Sequence, residues 1–164
     1  MANRAKQNHS RSPASAHPDP EAARGLDSDQ AWNLLMLNVS VLTSVLQQVE
    51  SQLAAISLDH KTLFMLSLVE EHDQPSTLAR VLCTPRPTIT ALIKRAESSG
   101  YLRRDTVPGD LRRFRLSLTA PGRRALATGK RVVEDAFAAR LARVSDKDRL
   151  AFGRAVLAMT TSAM

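Results

Sequence analysis

The sequence predicts a mainly α-helical fold with one small β-hairpin, and three observations lead to that prediction. A long stripe of apolar residues at helical spacing begins after Ser28. Several shorter segments follow, each bounded by helix-capping or turn residues. Residues 114–118 then alternate apolar and polar side chains, as a half-buried strand does. At 164 residues the chain is long enough for one domain with a real hydrophobic core.

The first 27 residues and the segment after them differ sharply in composition. Residues 1–27 are rich in Ala, Ser and Pro and almost without large apolar side chains, which predicts a disordered tail. From Ser28, a candidate N-cap, the apolar stripe continues to Ile56 with Asp29 and Glu50 as its only charges. A helix that is apolar on more than one side must be buried on more than one side. This favours burial against a second subunit, although a large core within one chain would serve equally.

Five further helices are indicated by their caps and turn residues. Asp59 is the expected N-cap of a second helix that ends near Glu71. Ser76 or Thr77 is the expected N-cap of a short third helix. The segment "CTPRP" predicts a tight turn, and "TITALIKRAESS" a fourth helix closed by Gly100. The fifth helix is expected to start after Thr119 and Pro121. The last is expected to start in the capping box "SDKD" at residues 145–148.

Between the fourth and fifth helices, "YLRRDTVPGDLRRFRLSLT" predicts a β-hairpin with its turn at residues 107–110. The order of helix, short helix, turn, helix and hairpin is the outline of a winged helix-turn-helix. We therefore assign residues 58–119 to this region, and residues 28–57 and 120–164 to long N- and C-terminal dimerisation helices.

The charge distribution supports a polyanionic partner. The formal net charge is +7, and residues 86–131 hold twelve Lys or Arg against three Asp or Glu. Such a local excess is typical of nucleic-acid-binding or membrane-surface proteins, although an ordinary solvated face is the alternative. The single cysteine, Cys83, excludes an intramolecular disulfide and favours a reducing, cytoplasmic location. The chain has no apolar run of membrane-spanning length, so no membrane partner is expected.

Two stretches also resemble a known family. "LARVLCTPRPTITALIKRAESSGYLRR" and "DLRRFRLSLTAPGRRAL" are similar to the MarR family of bacterial transcription regulators, over about residues 30–162. The wing motif of that family corresponds to Asp110, Arg112, Leu118, Thr119 and Gly122. The resemblance implies a homodimeric repressor, not an enzyme, that binds double-stranded DNA at a pseudopalindromic operator.

The expected DNA contacts follow from this arrangement. The start of the recognition helix, here the fourth, presents its side chains to base edges in the major groove, while hydroxyls, Lys and Arg contact phosphates. The resemblance implies that Arg112 enters the minor groove and that Asp110 holds it. Arg103, Arg104, Arg113 and Arg115 are left open between phosphate contact and plain solvation. The predicted DNA-binding residues are Ser76, Thr77, Arg86, Pro87, Thr88, Thr90, Ala91, Lys94, Arg95, Asp110, Arg112, Arg113 and Arg115.

The resemblance also implies a small aromatic carboxylate effector, of the benzoate, salicylate or hydroxynicotinate (pyridine-carboxylate) type. Its pocket is expected between the first, second and fifth helices, with His60 or Arg123 meeting the carboxylate. Plain core or interface packing is the alternative for each lining residue. The tentative lining residues are Trp32, Met36, His60, Phe64, Met65 and Arg123.

Two rival functions remain open. Cys83 stands near a helix N-terminus and a basic residue, which would suit a redox-sensing regulator of the same fold. A winged-helix module that binds protein and not DNA is the other. His60, Glu70, His72 and Asp73 match no metal-ligand spacing, and no nucleophile elbow or phosphate-binding loop is present. No metal, cofactor or enzymatic activity is therefore expected.

Overall fold

The computed structural model describes residues 28–107 and 110–161. The predicted tail, residues 1–27, and the turn residues Pro108 and Gly109 lie outside this range. The chain divides between Asn38 and Val39 into two compact units, which we describe separately. The elements are α1 (Ser28–Ala54), α2 (His60–Leu68), α3 (Pro75–Val81), α4 (Arg86–Ser98), β1 (Leu102–Val107), β2 (Asp110–Leu118), α5 (Ala120–Leu141) and α6 (Asp146–Thr161).

Helix α1 shows two kinds of apolar surface. In its last three turns Val45, Val49 and Leu53 are buried and contribute to the hydrophobic core of the second unit. Earlier members of the same stripe, Val39 and Leu42, are 46% and 55% exposed. In the first unit, residues 28–38, every residue whose exposure is described is exposed. The predicted stripe is therefore helical, and about half of it is left uncovered within the chain.

The residues at the start of α2 and α3 decide where these two helices begin. Asp59 caps α2 as predicted, since its carboxylate accepts a 2.7 Å hydrogen bond from the Thr62 backbone N–H. The prediction that Ser76 or Thr77 caps α3 is wrong. The helix already starts at Pro75, which is favoured there because the first helical N–H needs no partner within the helix. Both residues accordingly lie inside its first turn.

Helix α4 begins at Arg86, two positions before the start that the sequence predicted. Pro87 lies in the first turn, where the missing N–H costs nothing. Gly100 closes the helix with a φ of +70°, and the following Tyr101 N–H donates to the Ala96 carbonyl at 2.8 Å. This is the left-handed glycine closure that the sequence predicted.

The turn between α3 and α4 contains the residue with the least favourable backbone of the motif. Cys83 has a φ of +47°, in the left-handed region that glycine adopts most readily. Its thiol is exposed and makes a weak contact with the Arg80 carbonyl, at 3.7 Å from the sulfur. The turn closes through the Thr84 N–H, which donates to the Ala79 carbonyl at 2.9 Å.

Strands β1 and β2 form the predicted antiparallel hairpin, with Leu102 opposite Leu118 and Arg104 opposite Leu116. Because side chains alternate across a strand, Leu102, Leu116 and Leu118 share one face, and all three are buried in the core. The Leu116 N–H also donates to the Asp73 carbonyl at 2.8 Å, which ties the hairpin to the segment before α3.

The junction from the hairpin into α5 is closely packed. Thr119 is the N-cap, as predicted, and its hydroxyl accepts the Gly122 N–H at 3.0 Å. A β-carbon added at Gly122 would lie 2.0 Å from the Tyr101 carbonyl oxygen. The capping prediction at residues 145–148 is also confirmed, because the Ser145 hydroxyl accepts the Asp148 N–H at 3.2 Å.

The described chain is thus mainly helical with a two-stranded sheet, as the sequence predicted. Helices α2, α3 and α4 and the base of the hairpin meet around one core in the second unit. Its fully buried members include Leu63, Leu66, Leu78, Ile89 and Ile93. This packing fixes which sides of α4 and of the hairpin remain accessible.

Candidate nucleic-acid interface

Helix α4 separates its apolar and polar residues cleanly. Ile89, Leu92 and Ile93 face the core, as predicted. The accessible side carries most of the predicted base-contacting positions. These are exposed Arg86, Pro87, Thr90 and Ala91, together with half-buried Thr88.

The cations of α4 fall into two groups. Arg86 and Lys94 are exposed, and neither side chain forms an ion pair or hydrogen bond with another residue in the described ranges. Arg95, in contrast, pairs with the carboxylate of Asp59, the N-cap of α2. Arg86 and Lys94 are therefore available to an external anion without breaking any internal contact of the described chain.

Asp59 lies between α2 and α4, and its contacts with both helices change the pKa of its carboxyl. Partial burial opposes the charged form, but the Thr62 backbone N–H and the Arg95 guanidinium together outweigh it. The pKa of the Asp59 carboxyl is consequently lower than its ordinary value of 3.8. The carboxylate thus caps α2 and anchors α4 at the same time.

Ser76 and Thr77 lie in the first turn of α3, exposed and half-buried respectively. Gln74 precedes the helix and forms no side-chain capping bond, so the first backbone N–H groups of α3 have no side-chain cap from that residue. A phosphate group is a suitable acceptor for such groups. Both residues therefore lie at the end of α3 where a phosphate would bind, although neither caps the helix. Their predicted contact with phosphate stays a prediction.

The described arginines of the hairpin are paired with acidic residues. Arg103 Nε lies 3.1 Å from Asp105 Oδ1 and donates to the Ser117 hydroxyl at 2.9 Å. The Ser117 hydroxyl is the main reason that the pKa of Asp105 is below its ordinary 3.8, and Arg103 lowers it further. On the neighbouring strand, Arg115 Nε lies 3.4 Å from Asp73 Oδ2.

Arg104 has the most extensive set of contacts among these arginines. Its Nε donates to Glu97 Oε1 at 2.7 Å, and its Nη2 donates to Glu97 Oε2 at 3.0 Å. The guanidinium carbon also lies 4.5 Å from the centroid of the Phe114 ring. Arg104 therefore has internal partners on both α4 and β2, and whether it also contacts phosphate stays open.

Three predicted residues belong to the outer part of the hairpin. Asp110, Arg112 and Arg113 are in β2, but their side chains lie outside the part of the chain whose side chains are described. Their predicted roles at the tip therefore stay predictions.

The residues predicted for an effector pocket are distributed over different places. Trp32 and Met36 are 61% and 45% exposed in the first unit, which is described by itself. Met65 is completely buried, so it packs in the core and cannot present a wall to a ligand without rearrangement. Phe64 is 38% exposed, and His60 meets it edge to face with ring centroids 6.4 Å apart.

Phe64 opens into a cleft of about 360 Å³ between α2 and the start of α4. This cleft, which we call the α2–α4 cleft, has mostly apolar walls with two threonines and one lysine. Its lining residues are Lys61, Phe64, Leu82, Thr84, Pro85, Thr88 and Leu92. Arg123 lines a different cavity, of about 510 Å³, beside Arg103 and Asp73.

Of the residues that line this cleft, the sequence predicted Phe64 for the effector site and Thr88 as a DNA contact, and it missed the rest. Lys61 lies one turn before Phe64 on the exposed side of α2, a spacing that the sequence displays. Leu82 and Pro85 come from the turn between α3 and α4, and only the fold reveals that they face α2. In the described ranges, no cluster of three His, Cys, Asp or Glu side chains is arranged to hold a metal ion. Nor does any described helix combine the length and apolarity needed to cross a bilayer.

Comparisons with known proteins agree with this architecture. No protein-family model matches the sequence, and no curated protein matches it. Among solved structures, the crystal structure of MarR superposes with a TM-score of 0.70 at 21% identity, covering 79% of this chain and 96% of that one. A complex of S. aureus MepR with DNA gives 0.65 at 17% identity, covering 77% and 96%.

A third similar structure is an organohalide-sensing transcriptional regulator, RdhR, with 2,4-dichlorophenol bound. It superposes with a TM-score of 0.67 at 14% identity, covering 93% of this chain and 90% of that one. The chain therefore has the winged-helix fold of the MarR-type transcription regulators. On the described surface, the exposed face of α4 carries two cations, Arg86 and Lys94, without an ionic partner among the described residues.

Proposed function

We propose that the chain is a DNA-binding transcription repressor that acts as a homodimer in the bacterial cytoplasm. The single observation that carries this proposal is the exposed face of α4, where Arg86 and Lys94 have no internal partner within the described chain. In a winged-helix fold this face is the one that enters a major groove. The DNA-bound state of the structurally similar MepR supports the same use of the fold.

The contacts in such a complex follow from side-chain chemistry. Arg86 donates two hydrogen bonds to a guanine edge, and Thr88 and Thr90 contact neighbouring bases through a hydroxyl or methyl group. Lys94 and the first turn of α3 contact phosphates, which set affinity and salt dependence. Arg112, held by Asp110, enters the adjacent minor groove, and Arg113 and Arg115 lie toward the flanking backbone.

A homodimer accounts for the apolar surface that the chain leaves exposed. In α6, Leu150, Leu157 and Met159 are 65%, 67% and 68% exposed. Apolar surface at several consecutive turns is typical of an interface between subunits. We assign residues 28–57 and 120–164 to this interface and residues 58–119 to DNA binding. Two recognition helices related by a two-fold axis then read half-sites about one helical turn, roughly 10 bp, apart.

An aromatic acid effector fits the α2–α4 cleft. The ring would pack against Phe64, Leu82 and Pro85, and the carboxylate would lie near the Lys61 ammonium. The volume of about 360 Å³ is within the range of small-molecule sites. Because Thr88 lies in the wall of the cleft, an occupant there would shift the start of α4 and weaken DNA binding. The phenol bound to the structurally similar RdhR supports an aromatic ligand.

The test of DNA binding is a gel shift with the region upstream of the chain's own gene. We expect a retarded complex at nanomolar protein that unlabelled specific DNA displaces far better than random DNA. Arg112→Ala should weaken binding across sequences and reduce its salt dependence. If neither specific nor random DNA is bound, the fold serves as a protein-interaction module and the proposal fails.

The test of the effector is release of that complex by salicylate, benzoate and 6-hydroxynicotinate. We expect at least one to dissociate wild-type protein, and Lys61→Ala to raise the concentration needed about tenfold through loss of the charge-assisted contact. Lys147→Ala on α6 is the matched control and should respond as wild type does. Release that is equal in wild type and Lys61→Ala would place the ligand elsewhere.

A redox trigger is the second candidate, and the exposed thiol of Cys83 between α3 and α4 favours it. Oxidation there would alter the turn that orients α4. Peroxide should then release wild-type protein from DNA and leave Cys83→Ser bound. Equal behaviour of both proteins under peroxide would exclude Cys83 as the trigger.

A further inference from the structure

We propose that Arg104 is a positioning residue that sets the angle of the hairpin against the recognition helix, through Glu97 and Phe114. We call these three residues the wing clamp. The inference rests on the proposed DNA binding and specifies how the outer hairpin and α4 are held to engage two grooves at once. In this proposal Arg104 acts within the protein and contacts neither a DNA phosphate nor solvent alone.

The first argument is the position of Arg104 on the sheet. Leu102, Arg104 and Thr106 share one face of β1, because side chains alternate along a strand. Leu102 is buried in the core, whereas Thr106 is exposed. Arg104 therefore lies between a buried and an exposed position on this face of β1.

The second argument is the geometry of the contact with α4. The two hydrogen bonds, at 2.7 and 3.0 Å, join one edge of the guanidinium, Nε and Nη2, to both oxygens of Glu97. A two-point contact between planar groups fixes orientation as well as distance, which a single-point contact does not. Glu97 lies in the last turn of α4, so the pair connects the strand directly to the recognition helix.

The third argument is the stacking on β2. The guanidinium carbon lies 4.5 Å from the centroid of Phe114, which pairs with Thr106 and is therefore diagonal to Arg104. Phe114 is half-buried and packs against the core. The same guanidinium thus contacts α4 at its edge and β2 at its face, so a rotation of the hairpin would disturb both contacts.

The functional consequence depends on the distance between the wing clamp and the tip of the hairpin. Beyond Arg104 and Phe114 the two strands run toward residues 110–113, where the wing motif places Asp110 and Arg112. A small change of angle at the clamp produces a larger displacement at the tip. The clamp therefore governs whether Arg112 and the start of α4 reach their grooves in the same complex.

Glu97→Ala is the sharpest test because the two interpretations of Arg104 predict opposite signs. If Arg104 contacts phosphate, removal of the nearby carboxylate frees a cation and tightens binding. If Arg104 acts through Glu97, the same change weakens operator binding, by roughly fivefold for a partly exposed pair. Alanine is a good helix former, so α4 itself should persist, and a thermal unfolding curve checks this.

Two further variants complete the experiment. Arg104→Lys keeps the charge but loses the two-point contact and the stacking, so it should bind operator as weakly as Arg104→Ala does. In an Arg112→Ala background, Glu97→Ala should add little, because the tip contact that the clamp positions is already gone. A purely structural role of Glu97 would instead weaken binding equally in both backgrounds.

The outcomes separate the inference from the function on which it rests. Weakened binding by Glu97→Ala and Arg104→Lys, with loss of the effect in Arg112→Ala, supports the clamp. Unchanged or tighter binding by Glu97→Ala, with wild type bound to operator, overturns the clamp alone. Equal weakening in both backgrounds also overturns it. Failure of wild-type protein to bind any DNA overturns the proposed function, and the clamp with it.

Discussion

Helix α4 and the hairpin carry similar charges in very different surroundings. On α4, Arg86 and Lys94 are exposed without an ionic partner in the described part of the chain. On the strands, Arg103, Arg104 and Arg115 each have an acidic partner. The described arginines of the strands thus help to hold the hairpin, whereas Arg86 and Lys94 of α4 are available for a ligand.

This difference shows that a count of basic residues does not locate a binding surface. Every charge in both regions is visible in the sequence, but the acids that neutralise the strands lie 2, 7 and 42 positions away along the chain, at Asp105, Glu97 and Asp73. Only the fold brings the last two into contact. The residues best placed to bind DNA are therefore those that the fold leaves without partners.

The largest expected effect concerns the base of the hairpin. Gly122→Ala should destabilise the protein by about 3 kcal/mol, because the new β-carbon overlaps backbone atoms of Tyr101 and the junction must shift to relieve the overlap. Chemical denaturation measures this. Gly153→Ala is the matched control, since nothing lies within 4 Å of that β-carbon, and it should be neutral or slightly stabilising. Equal stability of the two variants would show that the junction is not the rigid element we describe.

The next effect concerns the free cations of α4. Arg86→Ala should reduce operator affinity about tenfold or more, through loss of a base contact, with little change in stability. Lys94→Ala should lower the slope of log affinity against log salt by about 1, the value for one phosphate contact. Fluorescence anisotropy at several salt concentrations measures both. Arg154→Ala on α6 is the control. Loss of stability in Arg86→Ala would contradict its unpaired state.

A smaller effect is expected at Asp59, whose carboxylate caps α2 and pairs with Arg95 of α4. Asp59→Ala should cost about 1 kcal/mol at neutral pH, through loss of the α2 N-cap. The folded state holds the pKa of this carboxyl below 3.8. Its contribution is therefore complete above that pH and is lost as the pH falls through the lower, folded-state pKa. Denaturation at pH 7 and pH 2.5 should show the difference shrink, and an unchanged difference would exclude the charge as its source.

The smallest effect is expected at Arg115 on the hairpin. Because Asp73 already partners its guanidinium, Arg115→Ala should weaken operator binding by about twofold or less. The matched comparison is Lys94→Ala under the same salt conditions. If Arg115→Ala reduced binding and salt dependence as much as Lys94→Ala, the distinction between paired and free cations would lose its functional meaning.

The sequence predicted the elements better than their ends or their partners. Caps such as Asp59 and Thr119 act within three residues, so they are readable locally, and both were confirmed. The start of α3 was missed because Ser76 and Thr77 are favoured N-caps by residue type, whereas the helix begins at Pro75, which suits a first helical position. The ion pairs of Arg95 and Arg115 and the cleft beside Lys61 join distant segments, and a single sequence holds no local signal for them.

The most direct test of the account is selection of binding sites from a random DNA pool, with wild type and Arg86→Ala in parallel. We expect wild type to enrich a pseudopalindrome with half-sites about one helical turn apart. Arg86→Ala should enrich the same spacing with a relaxed base preference at one position of each half-site. Identical sequence preferences in the two proteins, or no enrichment by wild type, would contradict α4 as the element that reads the bases.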